Sequence, residues 1–274
     1  MYAALDIGGT NIRYGIFDDF NSKNIAELQK VKTTNNYSED IKNIYHLIEA
    51  SQFQNIEGIG IAIAGVLNEE KSELIKSPNL FNWENKPLLK DIAKIFKCNI
   101  KIENDALSNA FYEADIYKKD KRDFILITWG TGIGGALCRY NNEKIDVYQS
   151  EVGHQIVSPN GEQCICGQKG CLEAICGGSS SQKRLNKEVS SFSKTDWAEI
   201  IDYLSIGIIN VLVINKIDLV IMSGGMVTYD VGRLIDIQKH IKNKIHIFKS
   251  PEIRLAQNVE IIGLLGAREL IRRN

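Results

Sequence analysis

His154, Cys164, Cys166 and Cys171 fall within 18 residues, in the order His-x9-Cys-x-Cys-x4-Cys, with Glu151 ahead of them and Glu173 behind. Three thiolates and one imidazole can close a tetrahedral zinc site. Gly167-Gln168-Lys169-Gly170 lets the backbone turn so that the flanking sulfurs face one ion. Four protein ligands leave no open position for water or substrate, so such a zinc fixes a loop rather than reacting. One imidazole nitrogen can hold metal while the other donates a hydrogen bond. Glu151, His154 and Glu173 are therefore candidates for contacts to a bound ligand. The competing reading is a set of loop thiols without metal, with Cys176 close enough in sequence to be a rival ligand.

Glycine turns supply a second kind of chemistry. Asp6-Ile7-Gly8-Gly9-Thr10-Asn11 joins two strand-like runs, 2–7 and 11–18. Such a turn is an ordinary hairpin, or it brings backbone N–H groups and the Thr10 hydroxyl to phosphate oxygens. Asp6 at the strand end could hold Mg2+ directly or through water. Gly130-Thr131-Gly132-Ile133-Gly134-Gly135 repeats the design. Its formal match to G-x-G-x-x-G is weak, because a dinucleotide motif must open a helix and 136–140 reads as a strand. The two units predict two phosphate-binding hairpins, one per lobe, facing across a cleft. Ser223-Gly224-Gly225 is a third turn, suited to a flat base or ribose lying close to backbone, or a plain strand–helix connection. Glu103-Asn104-Asp105-Ala106 lies at a strand–helix junction. Asp105 there is either a helix N-cap or a general base for an alcohol substrate.

These residues need a frame. Helical spacing marks 38–52 and 87–97, the latter opening at Pro87; further helices are predicted from Asp105 and over 195–215, 228–240 and 258–272. Strands are predicted near 27–32, 56–64, 100–102, 124–128, 133–140 and 218–222. Alternating strands and helices in both halves indicate an α/β chain of two lobes. The 274 residues carry 24% charged side chains and a net charge of −1, which argues against a dedicated nucleic-acid binder. No apolar run reaches the roughly 18 residues of a membrane span, and the first residues lack a signal-peptide pattern. Reduced thiols and a cytoplasmic protein are expected.

With these motifs assembled, the chain resembles the ROK family (repressor, open reading frame, kinase) of sugar kinases and sugar-responsive repressors. The resemblance rests on Asp6-Ile-Gly-Gly-Thr10, Pro78-Asn79-Leu80 with Trp83, Glu103-Asn-Asp-Ala106 and Gly130-Thr-Gly-Ile-Gly-Gly135. It continues through Glu151-x-Gly-His154, the cysteine cluster ending at Glu173, Ser223-Gly-Gly225 and Gly266-Ala267. It implies a two-lobed actin-like ATPase (sugar kinase) fold with a ribonuclease H-like core in each lobe. The small N-terminal lobe would cover 1–120 plus the helix 258–274, and the larger lobe 121–257 with the zinc loop 154–171. It implies transfer of the ATP γ-phosphoryl to a hexose hydroxyl, the 6-hydroxyl first. Glucose is the first expected substrate and N-acetylmannosamine or another N-acylhexosamine the second. By the resemblance Asp105 is the catalytic base, and Gly65, Asn79, Asn104, Asp105, Glu151, His154 and Glu173 contact sugar. Asp6, Gly8, Gly9, Thr10, Asn11, Thr131, Gly132, Gly224 and Gly225 form the nucleotide site. His154, Cys164, Cys166 and Cys171 hold structural zinc; ATP and Mg2+ are the other cofactors, and a homodimer is expected.

The chain departs from the family pattern in two loops: Asn141–Ser150 lacks the usual glycines, and the segment between Gly178 and Asp196 is short. With five residues ahead of Asp6, a DNA-binding repressor is not expected. The rival from another class is a sugar sensor that binds sugar without turning over ATP, a reading supported by the Asn141–Ser150 loop alone.

Overall fold

The computed structural model describes every residue except Asn21, Lys23, Gln54, Asn142, Glu143 and Asn274. In chain order the elements begin with strands β1 (Tyr2–Ile7), β2 (Asn11–Phe17) and β3 (Glu27–Lys32), then helix α1 (Tyr37–Glu49). Strands β4 (Gly58–Ile63), β5 (Val66–Leu67) and β6 (Leu74–Lys76) precede α2 (Leu88–Ile95), β7 (Asn99–Asn104) and α3 (Asp105–Tyr117). A second series follows: β8 (Phe124–Trp129), β9 (Ile133–Asn141), β10 (Lys144–Gln149), α4 (Leu172–Cys176), α5 (Gly178–Leu185) and α6 (Lys194–Asn215). The chain ends with β11 (Leu219–Ser223), α7 (Gly225–Thr228), α8 (Arg233–Lys244), β12 (Glu252–Leu255) and α9 (Ile262–Glu269).

Two compact units result, Met1–Tyr112 with Ile261–Asn274, and Glu113–Glu260. The first carries a sheet of order β3-β2-β1-β4-β7, the second a sheet of order β10-β9-β8-β11-β12. In each, an antiparallel meander of three strands is followed by two parallel strands. This is the expected ribonuclease H-like core, formed twice. The local reasons are plain. All six residues of β4 are buried, as a strand covered on both faces requires. Helix α1 starts where the Asn36 side chain accepts the Glu39 N–H, and it buries Ile44 and Leu47 along one stripe. The α9 helix lies against β1 and β4.

Three sequence expectations change. The Asn141–Ser150 segment is not a loop: 144–149 forms β10, paired antiparallel with β9. Its alternation is weak, with no residue fully buried, so it carries little strand signal. The C-terminal helix starts at Ile262 rather than 258, because Asn258 stands in the left-handed region at φ 51. Helix α6 is, by length and composition, apolar enough to cross a membrane, contrary to the sequence reading. It buries Ile200, Ile201, Leu204, Ile208 and Leu212 in the core of the second unit.

Candidate functional site

In the first unit the residues ahead of α3 form one connected set. The Asn104 Oδ1 accepts the N–H groups of Ala106 (2.9 Å) and Leu107 (3.2 Å), so Asn104, not Asp105, caps the helix. Its Nδ2 donates to the Gly65 carbonyl at 2.9 Å. Asp105 therefore begins the helix itself, half-buried, and its Oδ1 shares the Ala106 N–H at 2.9 Å. Glu103, just before it, is 6% exposed; its Oε1 accepts the Asn104 N–H at 2.9 Å, and Lys71 pairs with its Oε2. Gly65 has φ +135, and a Cβ there would press on Lys76 and Ser77.

The first glycine turn is a closed hairpin. The Gly8 N–H reaches the Asn11 carbonyl at 3.0 Å, and Thr33 Oγ1 donates to the Gly8 carbonyl at 2.6 Å. Asn79 lies directly over Gly9, where any Cβ would collide with its side chain. The Asn79 of the sugar set thus touches the turn of the nucleotide set. Asp6 is engaged: Arg13 Nε donates to Oδ2 at 2.9 Å, and Arg13 Nη2 contacts the same oxygen. That oxygen is already paired with a cation and does not fit a direct magnesium ligand. Arg13 and Lys71 were missed in sequence. Each is a lone basic residue whose partner is set by strand pairing or by a contact across 32 positions.

In the second unit Glu173 links the glycine turn to the cysteine loop. Its Oε2 accepts the Ile133 N–H at 2.7 Å, and Gly132 leaves the space in which that carboxylate sits. The first residues of α5 reinforce the turn: Gly178 N–H to the Gly130 carbonyl (2.8 Å) and Ser179 N–H to the Thr131 carbonyl (3.0 Å). The third turn packs the same way. Gly224, at φ +99, leaves no room for a Cβ against the Trp129 backbone, whereas beside Gly225 the space is open to 4 Å. Gly224 is thus spent on packing, and Gly225 is the residue with an open face.

The ligand atoms of His154, Cys164, Cys166 and Cys171 all lie within 4.8 Å of one another. Cys164 Sγ stands 3.7 Å from His154 Nδ1, and Cys166 Sγ 3.7 Å from Cys171 Sγ. A tetrahedron with Zn–S bonds of about 2.3 Å has sulfur–sulfur edges near 3.8 Å, so the set fits zinc. It does not fit a disulfide, whose sulfurs stand about 2.05 Å apart. Cys176 is no rival: it is buried and donates to the Ile200 carbonyl. Gly170, at φ +75, makes the turn that returns the chain to Cys171. Burial, with the neighbouring thiols, pushes the Cys171 thiol up to about 12, and burial raises Cys164 too. Burial works the same way at Cys166, but the Gln168 N–H and the two thiols outweigh it and lower that group. The buried sulfurs thus favour the protonated form until a cation compensates their charge. The other imidazole nitrogen, Nε2, is 3.9 Å from Glu151 Oε2, and Glu151 is also held by Gln149 Nε2 at 2.7 Å. Gln155 ties this loop to α6 through Gly207 and Asn210.

Within each unit, then, the predicted residues cluster: Asp6 to Asn11, Gly65, Asn79, Asn104 and Asp105 in one, Thr131, Gly132, Glu151, His154, Glu173, Gly224 and Gly225 in the other. The chain is 31% identical to a Thermotoga maritima glucokinase over 190 residues, 67% of this chain and 59% of that protein. It is 27% identical to a Haemophilus influenzae N-acetylmannosamine kinase over 291 aligned positions, 96% of this chain and 93% of the relative. Among solved structures, a Streptomyces griseus ROK glucokinase in complex with glucose and AMPPNP superposes with a TM-score of 0.84. That pair is 24% identical, over 100% of this chain and 99% of the other. A Thermus thermophilus ROK hexokinase gives a TM-score of 0.76 at 21% identity, over 98% and 97% of the two chains. The fold is that of the two-lobed actin-like sugar kinases. The ROK family profile matches residues 2–274, and the chain belongs to the ROK family.

Proposed function

We propose that this protein is an ATP-dependent hexose kinase that phosphorylates a sugar hydroxyl, the 6-hydroxyl first, with glucose as first substrate and N-acetylmannosamine as second. The observation that carries this reading is Asp105 at the first turn of α3, behind a cap that also grips Gly65. The carboxylate is carried by regular elements, as a general base requires. The names of relatives such as the glucokinase and the N-acetylmannosamine kinase support the same chemistry.

On this reading Asp105 takes the proton of the attacking hydroxyl as its oxygen bonds to the γ-phosphorus. The bond from that phosphorus to the β-phosphate oxygen breaks, and ADP leaves. Phosphoryl transfer needs positioning and donors more than covalent help from protein. Gly9 and Thr10 in the first turn and Thr131 and Gly132 in the second supply backbone N–H groups, since those of Gly8 and Gly130 close the turns themselves; Thr10 and Thr131 supply hydroxyls, with Gly225 offering an open face to the nucleoside. ATP enters with Mg2+, which neutralises phosphate charge. His154, Glu151 and Glu173 bind the sugar, while zinc on His154 and the three cysteines cross-links the loop that carries them. A cytoplasmic homodimer belongs to the same reading.

The test is a coupled ADP-release assay with Mg-ATP against glucose, N-acetylmannosamine, N-acetylglucosamine, mannose and fructose. Turnover with glucose above the others is expected. Preference for N-acetylmannosamine would keep the kinase and replace the substrate. Sugar binding without ADP release from zinc-loaded protein would replace the kinase by a sensor.

A further inference from the structure

The β5–β6 hairpin is fastened to the end of β7 at two points. Asn104 Nδ2 holds the Gly65 carbonyl at its base, and Glu103 holds Lys71 near its tip. Glu103 is 6% exposed, so its carboxylate needs a partner, and Lys71 supplies the charge. The backbone of Lys71 stands at φ 52, a left-handed conformation that glycine or asparagine adopts at lower cost. The surrounding turn enforces it. Asn68 Oδ1 accepts the Ser72 N–H (2.8 Å) and the Glu73 N–H (3.1 Å), and the Leu89 N–H reaches the Ser72 carbonyl at 3.0 Å.

We propose that Lys71 is a positioning residue: by pairing with Glu103 it locks the hairpin turn to the strand end and so holds Asn104 and Asp105 in place for proton abstraction. This rests on Asp105 being the base. The chain of contacts is short. Lys71 fixes the Glu103 carboxylate, the other oxygen of that carboxylate fixes the Asn104 N–H, and the Asn104 side chain sets the first turn of α3. Lys71 touches neither substrate nor Asp105 in this scheme.

The test compares Lys71→Gly, Lys71→Met and Lys71→Arg by steady-state kinetics in the ADP-release assay, with thermal melting alongside. Lys71→Gly relieves the backbone while removing the ammonium, so it separates stability from positioning. We expect kcat to fall about 10- to 100-fold in the Gly and Met variants, as a misplaced reacting group does, with sugar KM little changed. Lys71→Arg should restore most of the kcat, because it keeps the charge. A folded Lys71→Gly protein with wild-type kcat overturns the proposal, and so does a loss confined to sugar KM. If wild-type protein turns over no sugar in the panel, the kinase reading falls and this one with it. An active wild type with indifferent variants overturns this proposal alone.

Discussion

Asp105 and Glu173 are both carboxylates on first helical turns, yet their surroundings give them different work. Glu173 is committed to the Ile133 N–H, so it shapes the glycine turn as much as it can meet a ligand. Asp105 follows a cap formed by its neighbour and accepts the Ala106 N–H at 2.9 Å, a bond local to its own helical turn; on the proposed reading it is the base. Asp105→Asn should lower kcat by about 10²–10⁴-fold while sugar binding, read by calorimetry, survives. Turnover close to wild type would remove Asp105 from the mechanism. Gly132→Ala should push the Glu173 carboxylate off the turn. Because that carboxylate serves both the turn and the cysteine loop, kcat/KM should fall for ATP and sugar together. A fall for one substrate alone would mean that the two functions are separate.

At the scale of elements, α6 shows how a long helix is started and held. Ser193 and Asp196 form a reciprocal capping box, and Lys187 pairs with Asp196 at 2.7 Å. Lys187 and the Ser193 contacts hold the Asp196 carboxyl down at about 2, below its ordinary 3.8. The folded value lies below the unfolded one, so this contribution is complete above about pH 4. It is lost as pH falls toward 2. The difference in melting temperature between wild type and Asp196→Asn should therefore be present at pH 6 and shrink between pH 4 and 2. A difference that stays constant over that range would contradict the assignment. Neither the capping pair nor strands β10 and β12 were among the sequence expectations; residues 144–149 are partly or fully exposed and gain their strand character from pairing with β9.

At the scale of the whole molecule, one topology is used twice, and the second unit adds the cysteine loop. Structural zinc sites can be worth on the order of 10 kcal/mol, so metal removal should be felt well beyond four side chains. Chelation, or Cys166→Ser, should raise amide hydrogen exchange across residues 154–176 and weaken sugar binding. Strands β1, β4 and β7 should stay protected. Native protein that is active and contains no zinc by elemental analysis would refute the metal centre.

What the sequence by itself determined is local. Glycines at tight turns, the order and spacing of the metal ligands and the periodicity of buried strands are set within a few residues. Each can be read from residue type. What only the tertiary structure decided is which distant groups share a contact: Lys71 with Glu103, Asn79 over Gly9, Glu173 in the space left at Gly132. The physical reason is that an ion pair or a close approach between residues tens of positions apart carries no mark in either segment. It depends on strand order, register and crossover, which are fixed only when the whole sheet forms. That is also why Asn104 rather than Asp105 proved to be the cap. Both residue types suit the position, and the hydrogen bond to Gly65, 39 positions away, accompanies the choice.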